Sequence, residues 1–141
     1  MDCADVDALV SAIVGGSNSA VFDLDGNTVV DAADLELWLA AAGEENLGPG
    51  LSYLPADANL DGAVDGADFN VWNENKFTGD TGFCGGDFNA DGHTDGSDFN
   101  VWNEYKFNNS DVRVRAVPEP SCSVTLLLLL AFFCLRQSRA S

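Results

Sequence analysis

Apolar residues in this chain fall into short groups at helical spacing, each placed directly behind an aspartate-rich stretch. Leu35 and Trp38, Phe69 and Trp72, and Phe99 and Trp102 stand one and four places beyond Asp34, Asp68 and Asp98, so each pair shares one helical face. The runs Asp68 to Phe77 and Asp98 to Phe107 are nearly identical, and Asp2 to Leu9 matches Asp31 to Trp38. Four repeats result, spaced 29 residues from Asp5 to Asp34, 34 to Asp68 and 30 to Asp98. Short spacings inside a pair and a longer one between pairs place residues 1–42 in one pair and 56–108 in another. Residues 43–55, with Pro49, Gly50 and Pro55, read as the linker, 109–116 as a spacer and 117–141 as a tail. The first repeat lacks loop positions 1 to 8, so Met1 reads as a start inside a truncated pair. At this spacing the tryptophans read as core rather than as a sugar-binding platform.

The polar stretches carry the candidate chemistry. A twelve-residue calcium loop offers oxygens from positions 1, 3, 5, 7, 9 and 12, with position 7 using its backbone carbonyl and glycine at 6 making the turn. Asp57, Asn59, Asp61, the carbonyl of Ala63, Asp65 and Asp68 fit that spacing, with Gly62 at position 6. Asp87, Asn89, Asp91, the carbonyl of His93, Asp95 and Asp98 repeat it around Gly92. Asp23, Asp25, Asn27, the carbonyl of Val29, Asp31 and Asp34 form a looser copy. Thr28 stands there at position 6 and must bend without glycine's freedom, so that site is expected to be the weakest of three calcium sites. Position 12 is aspartate each time, one methylene shorter than the usual glutamate. Solvated acidic turns are the bland alternative. Four carboxylates in twelve residues repel too strongly for that without a cation between them.

Charge narrows the classes further. The 141 residues carry 23 acidic and 6 basic side chains, a net charge of −17, which excludes nucleic acid as a partner. Three calcium ions would supply +6. Small domains of this kind rely on metal to fold, since their cores are too small to hold the chain alone. Cys3, Cys84, Cys122 and Cys134 have no zinc spacing, and there is one histidine. Cys122 and Cys134 flank the apolar tail, while a Cys3–Cys84 bridge is a pairing the sequence leaves open.

No comparable helix precedes the second or third loop, so the unit is loop then helix. That unit resembles the type I dockerin, a duplicated calcium loop plus helix whose repeats pack antiparallel. The likeness covers about 100 residues and is carried by the ligands above with Val30 and Val64 between ligands 7 and 9; Thr94 takes that place in the third loop. Dockerins bind cohesin domains through loop positions 10 and 11, commonly Ser or Thr. Here those positions are Ala32-Ala33, Gly66-Ala67 and Gly96-Ser97. The implied fold class is mainly α: two dockerin-like pairs of calcium loop plus helix, then a C-terminal transmembrane-type helix.

That last element comes from the tail. Val117-Pro118-Glu119-Pro120-Ser121 leads into an apolar run over 122–135, followed by Arg136 and Arg139. Fourteen helical residues span about 21 Å, short of the roughly 30 Å hydrocarbon core. By length the run is a buried helix or a signal-type segment; its terminal place, its leucines and its arginines favour a sorting signal. It resembles the PEP-CTERM signal, which implies exosortase, a membrane protease, as a partner. It also implies export, a membrane-anchored stage in the cell envelope, and then the cell surface or an extracellular polysaccharide matrix.

The function expected from these features is a non-enzymatic extracellular calcium-binding interaction or connector module. The alternative is a dockerin docking an attached glycoside-hydrolase-type enzyme onto a cohesin scaffold. A cytosolic calcium sensor is disfavoured by the tail and by the lack of entering helices. Catalysis is not expected: His93 falls at loop position 7, and the carboxylates are committed as ligands.

Overall fold

The computed structural model describes residues 1–79 and 81–110 of the chain. Four helices form, α1 (Cys3–Val14), α2 (Ala32–Asn46), α3 (Gly66–Asn75) and α4 (Gly96–Tyr105), with two short strands, β1 (Thr78–Gly79) and β2 (His93–Thr94). A single turn of 3-10 helix covers Phe83–Gly85. Each α-helix starts the same way. The aspartate at loop position 9, or Asp2 in the partial repeat, is the N-cap, and an aspartate three residues on returns a bond to its backbone N–H. This reciprocal capping box satisfies two backbone donors that a helix start otherwise leaves unpaired.

The buried core is one cluster fed unequally by the two halves. From the first half come the helix stripes Val6, Leu9 and Val10 on α1 and Leu35, Trp38, Leu39 and Ala42 on α2. The second half contributes mainly from its loops, through Ala56, Ala58, Val64, Phe83, Phe88 and Ala90. The only buried side chains of α3 and α4 are Asp68 and Asp98. Their aromatic stripes meet one another instead: the Phe69 ring lies 5.0 Å from Trp102 and the Trp72 ring 5.1 Å from Phe99. Trp38 is core as expected, but Trp72 and Trp102 are half-buried. Phe77 and Phe107 lie beyond their helices, 80 % and 81 % exposed, each at a φ of 66°.

The expected fold class is therefore corrected. Helices account for fewer than half of the described residues, the rest being loops, turns and a two-stranded antiparallel sheet pairing Thr78 with Thr94 and Gly79 with His93. The pairs share one core, and α2 runs on to Asn46. Tyr53, within the expected linker, is buried and donates its backbone N–H to Leu39 at 3.1 Å. Gly43 permits this approach, because a Cβ there would sit 2.4 Å from the Ser52 Cα. Among the described residues no helix is long and apolar enough to cross a membrane. The apolar run 122–135, Val117 to Ser121, Arg136 and Arg139 lie outside the described residues.

Cys3 and Cys84 form a disulfide with a Cα separation of 5.8 Å, joining α1 to the 3-10 turn across 81 residues of sequence. Asp7 reinforces the join by accepting the Cys84 backbone N–H at 3.0 Å.

Candidate metal sites

The three loops share one backbone shape. Positions 4 and 6 both take positive φ: Gly26 and Thr28 at 74° and 75°, Leu60 and Gly62 at 56° and 89°, Ala90 and Gly92 at 56° and 88°. Each loop thus places one glycine and one ordinary residue in the left-handed region. The loop without glycine at position 6 has it at position 4, so the bend expected to be costly at Thr28 is offset two residues earlier.

Backbone amides then aim the carboxylates. The position 6 N–H reaches one oxygen of the position 1 aspartate in all three loops: Thr28 to Asp23 at 3.0 Å, Gly62 to Asp57 at 2.8 Å and Gly92 to Asp87 at 2.9 Å. At position 12, one oxygen accepts from the N–H groups of positions 2 and 3, as Asp68 does from Ala58 and Asn59 at 2.8 and 3.3 Å. The other oxygen accepts the position 9 N–H, at 2.8 Å from Asp65 to Asp68, which closes the capping box. Asp34 and Asp98 do the same. The position 12 aspartate thereby fixes both the loop and the start of the following helix.

The loops diverge at position 5. Asp61 and Asp91 donate their N–H to the second oxygen of Asp57 and Asp87, both at 3.1 Å. Asn27 donates instead to Asp25 at 2.9 Å. Asp23 Oδ1 is left buried with no hydrogen-bond partner. Asp23, Asp25 and Asp34 bring ligand oxygens within 4.8 Å of one another, the one such group of three among the described residues. The loop expected to be the weakest site is thus the one whose carboxylates are gathered most closely. In the other two loops position 3 is Asn59 or Asn89, so no third carboxylate joins positions 1 and 12, and both oxygens of Asp57 and Asp87 accept backbone N–H groups.

Asp34, Asp57, Asp68, Asp87 and Asp98 are fully buried. Among the described residues the one ion pair joins the Met1 ammonium to Glu45 at 3.6 Å, so no basic side chain compensates these carboxylates. Burial pushes Asp57 up to about 7 and Asp87 up to about 6, against amide donors from Gly62 and Gly92, with neighbouring carboxylates adding to the rise. Burial also raises Asp68 and Asp98. Asp34 is shifted the other way, held low first by the Asp31 N–H and then by those of Leu24 and Asp25.

Oxygen-only donors, a bare buried carboxylate oxygen and uncompensated buried acids fit a hard divalent cation and suit soft metals poorly. Of the expected ligand residues, Asn59 and Asn89 bind Asp61 and Asp91 through their amides, both at 2.9 Å, and the His93 side chain is exposed on β2. Sequence reasoning missed three supporting groups. Asn18 accepts the Val30 N–H at 3.1 Å, and the Trp72 and Trp102 indoles each donate to a loop that is not their own. Only the recurrence of tryptophan four places beyond each position 12 pointed to the two indoles, and nothing in the repeat marked Asn18. No protein-family model, curated protein or solved structure matches this chain.

Proposed function

We propose that this chain is a non-enzymatic, calcium-stabilised interaction or connector module of an exported bacterial protein, with residues 117–141 acting as its sorting signal. The observation that carries the cation reading is Asp23 Oδ1, buried and unpaired beside the gathered oxygens of Asp25 and Asp34. A polar atom left so costs free energy unless something meets it, and a dication meets it with the opposite charge. Asp23, Asp25, Asn27, Asp31, Asp34 and the Val29 carbonyl would hold one ion. The equivalent groups in 57–68 and 87–98 would hold two more.

The ion's contribution is charge neutralisation and a fixed loop shape. Extracellular calcium is near the affinities of extracellular calcium modules, about 10⁻⁴ to 10⁻³ M, so such sites fill after export. The sorting reading is supported by Pro118-Glu119-Pro120 and the two arginines behind the apolar run. Melting followed by circular dichroism, in millimolar calcium and then in excess chelator, tests the module. A midpoint raised by calcium and not matched by equal magnesium is expected; equal midpoints in calcium and chelator would overturn the reading.

A further inference from the structure

The two loops of the second half are tied to each other by contacts that cross. The helix following loop 57–68 is α3, yet its Trp72 indole donates to the backbone carbonyl of Asp95, at position 9 of the other loop, at 2.7 Å. The helix following loop 87–98 is α4, and its Trp102 indole donates to the Asp65 carbonyl, again position 9 of the other loop, at 2.9 Å. Backbone pairing crosses in the same sense. Phe77, just past α3, donates its N–H to Thr94 at 2.6 Å, and Phe107, just past α4, donates to Val64 at 2.6 Å. Thr94 and Val64 are the position 8 residues. Val64 in turn donates to Asn108 at 2.9 Å, and Ala63 is bridged to Asn109.

Each loop's positions 7 to 9 are therefore held by the chain that leaves the other loop. Position 9 is also the N-cap of the loop's own helix, so it cannot shift without moving that helix and the indole the helix carries. We propose that Trp72 and Trp102 are reciprocal positioning residues, each setting the opposite cation loop, and that loops 57–68 and 87–98 bind calcium cooperatively through them. This rests on the reading of both loops as cation sites. Loop 23–34 stands outside the exchange: its position 8 N–H bonds to Asn18, and its helix tryptophan, Trp38, is buried in the core. It should fill independently.

The test is a calcium titration of the full chain by proton–nitrogen correlation spectra, reading the Gly62 and Gly92 amides separately. In the wild type these two report together and more steeply than a single-site curve, while Thr28 follows its own curve. Trp72→Phe keeps the ring and removes the donor. It is expected to weaken calcium at Gly92 about fivefold, the worth of one hydrogen bond, with less effect at Gly62. Trp102→Phe should give the mirror result, and Trp38→Phe should leave both unchanged. Helix content in saturating calcium checks that each variant folds. Asp61→Ala, which removes the position 5 oxygen at an exposed position outside the indole contacts, gives an independent route: disabling loop 57–68 should lower the affinity read at Gly92. Effects confined to each tryptophan's own loop, equal at both loops, or missing would overturn the coupling while leaving the sites. Unmoved amides in the wild type would overturn the site reading and the coupling with it.

Discussion

Asp57 has no exposed surface, no basic partner and two backbone N–H donors, and burial still outweighs those donors enough to raise its carboxyl to about 7. Asp87 repeats the arrangement at about 6. An acid whose folded value lies above its unfolded one binds its proton more tightly in the folded state. Stability from that proton is complete below the ordinary carboxylate value near 3.8 and is lost as pH rises through the folded value. Asp34, shifted down, has the opposite sign: its contribution is present above that value and lost below it. Between about pH 4 and pH 7 the raised group dominates. In chelator the melting midpoint should therefore fall across that interval. A dication favours the ionised carboxylates, so the gain from calcium should grow over the same interval. Midpoints measured at pH 4.5, 6 and 7.5, with and without calcium, check this; a calcium gain that shrinks as pH rises would contradict it.

Helix starts are the best-determined elements of the chain, because one aspartate pair does two tasks. Asp31 and Asp34 cap α2 and also stand at loop positions 9 and 12, whereas Asp2 and Asp5 cap α1 with no loop ahead of them in the described chain. Comparing them separates capping from cation binding. Asp2→Ala should cost about 1 kcal/mol, the usual worth of an N-cap, equally in calcium and in chelator. Asp31→Ala should cost the same in chelator and more in calcium. Urea melts of both variants in both conditions decide the matter, and losses from Asp31→Ala that ignore calcium would remove Asp31 from the ligand set. That a helix follows each loop was legible in the sequence because the apolar spacing behind it is local, while the capping by the same aspartates that read as ligands was not. Nor were the faces. Phe69 and Trp72 have the same spacing as Leu35 and Trp38, yet one stripe meets a twin across a half-exposed contact and the other enters the core. Periodicity says which residues share a face, while what covers that face depends on partners far along the chain. For the same reason the expected linker concealed Tyr53, and the repeat concealed the crossed indoles.

At the scale of the whole molecule, the first half acts as a backing for the loops of the second. Val14 at the end of α1 lies where a Cβ on Gly92 would meet it at 2.9 Å, and Leu47 after α2 lies 3.2 Å from the same point on Gly62. Both position 6 turns thus rest on the first half, and Cys84, three residues before Asp87, is bonded to α1. The sequence left this pairing open because nothing local brings residues 81 apart together. A cross-link closing a loop of that length restricts the unfolded chain by an amount worth about 4 kcal/mol. The Cys3→Ser/Cys84→Ser variant should lose roughly that much stability against urea. Its calcium response should change as well, because the loosened backing lets the turns at Gly62 and Gly92 open before any ion arrives. Helix content should be recovered in saturating calcium, with the calcium midpoint moved to higher concentration. Stability lost with the calcium midpoint unmoved would mean that the disulfide only shortens the unfolded chain, and that loops 57–68 and 87–98 keep their shape without α1.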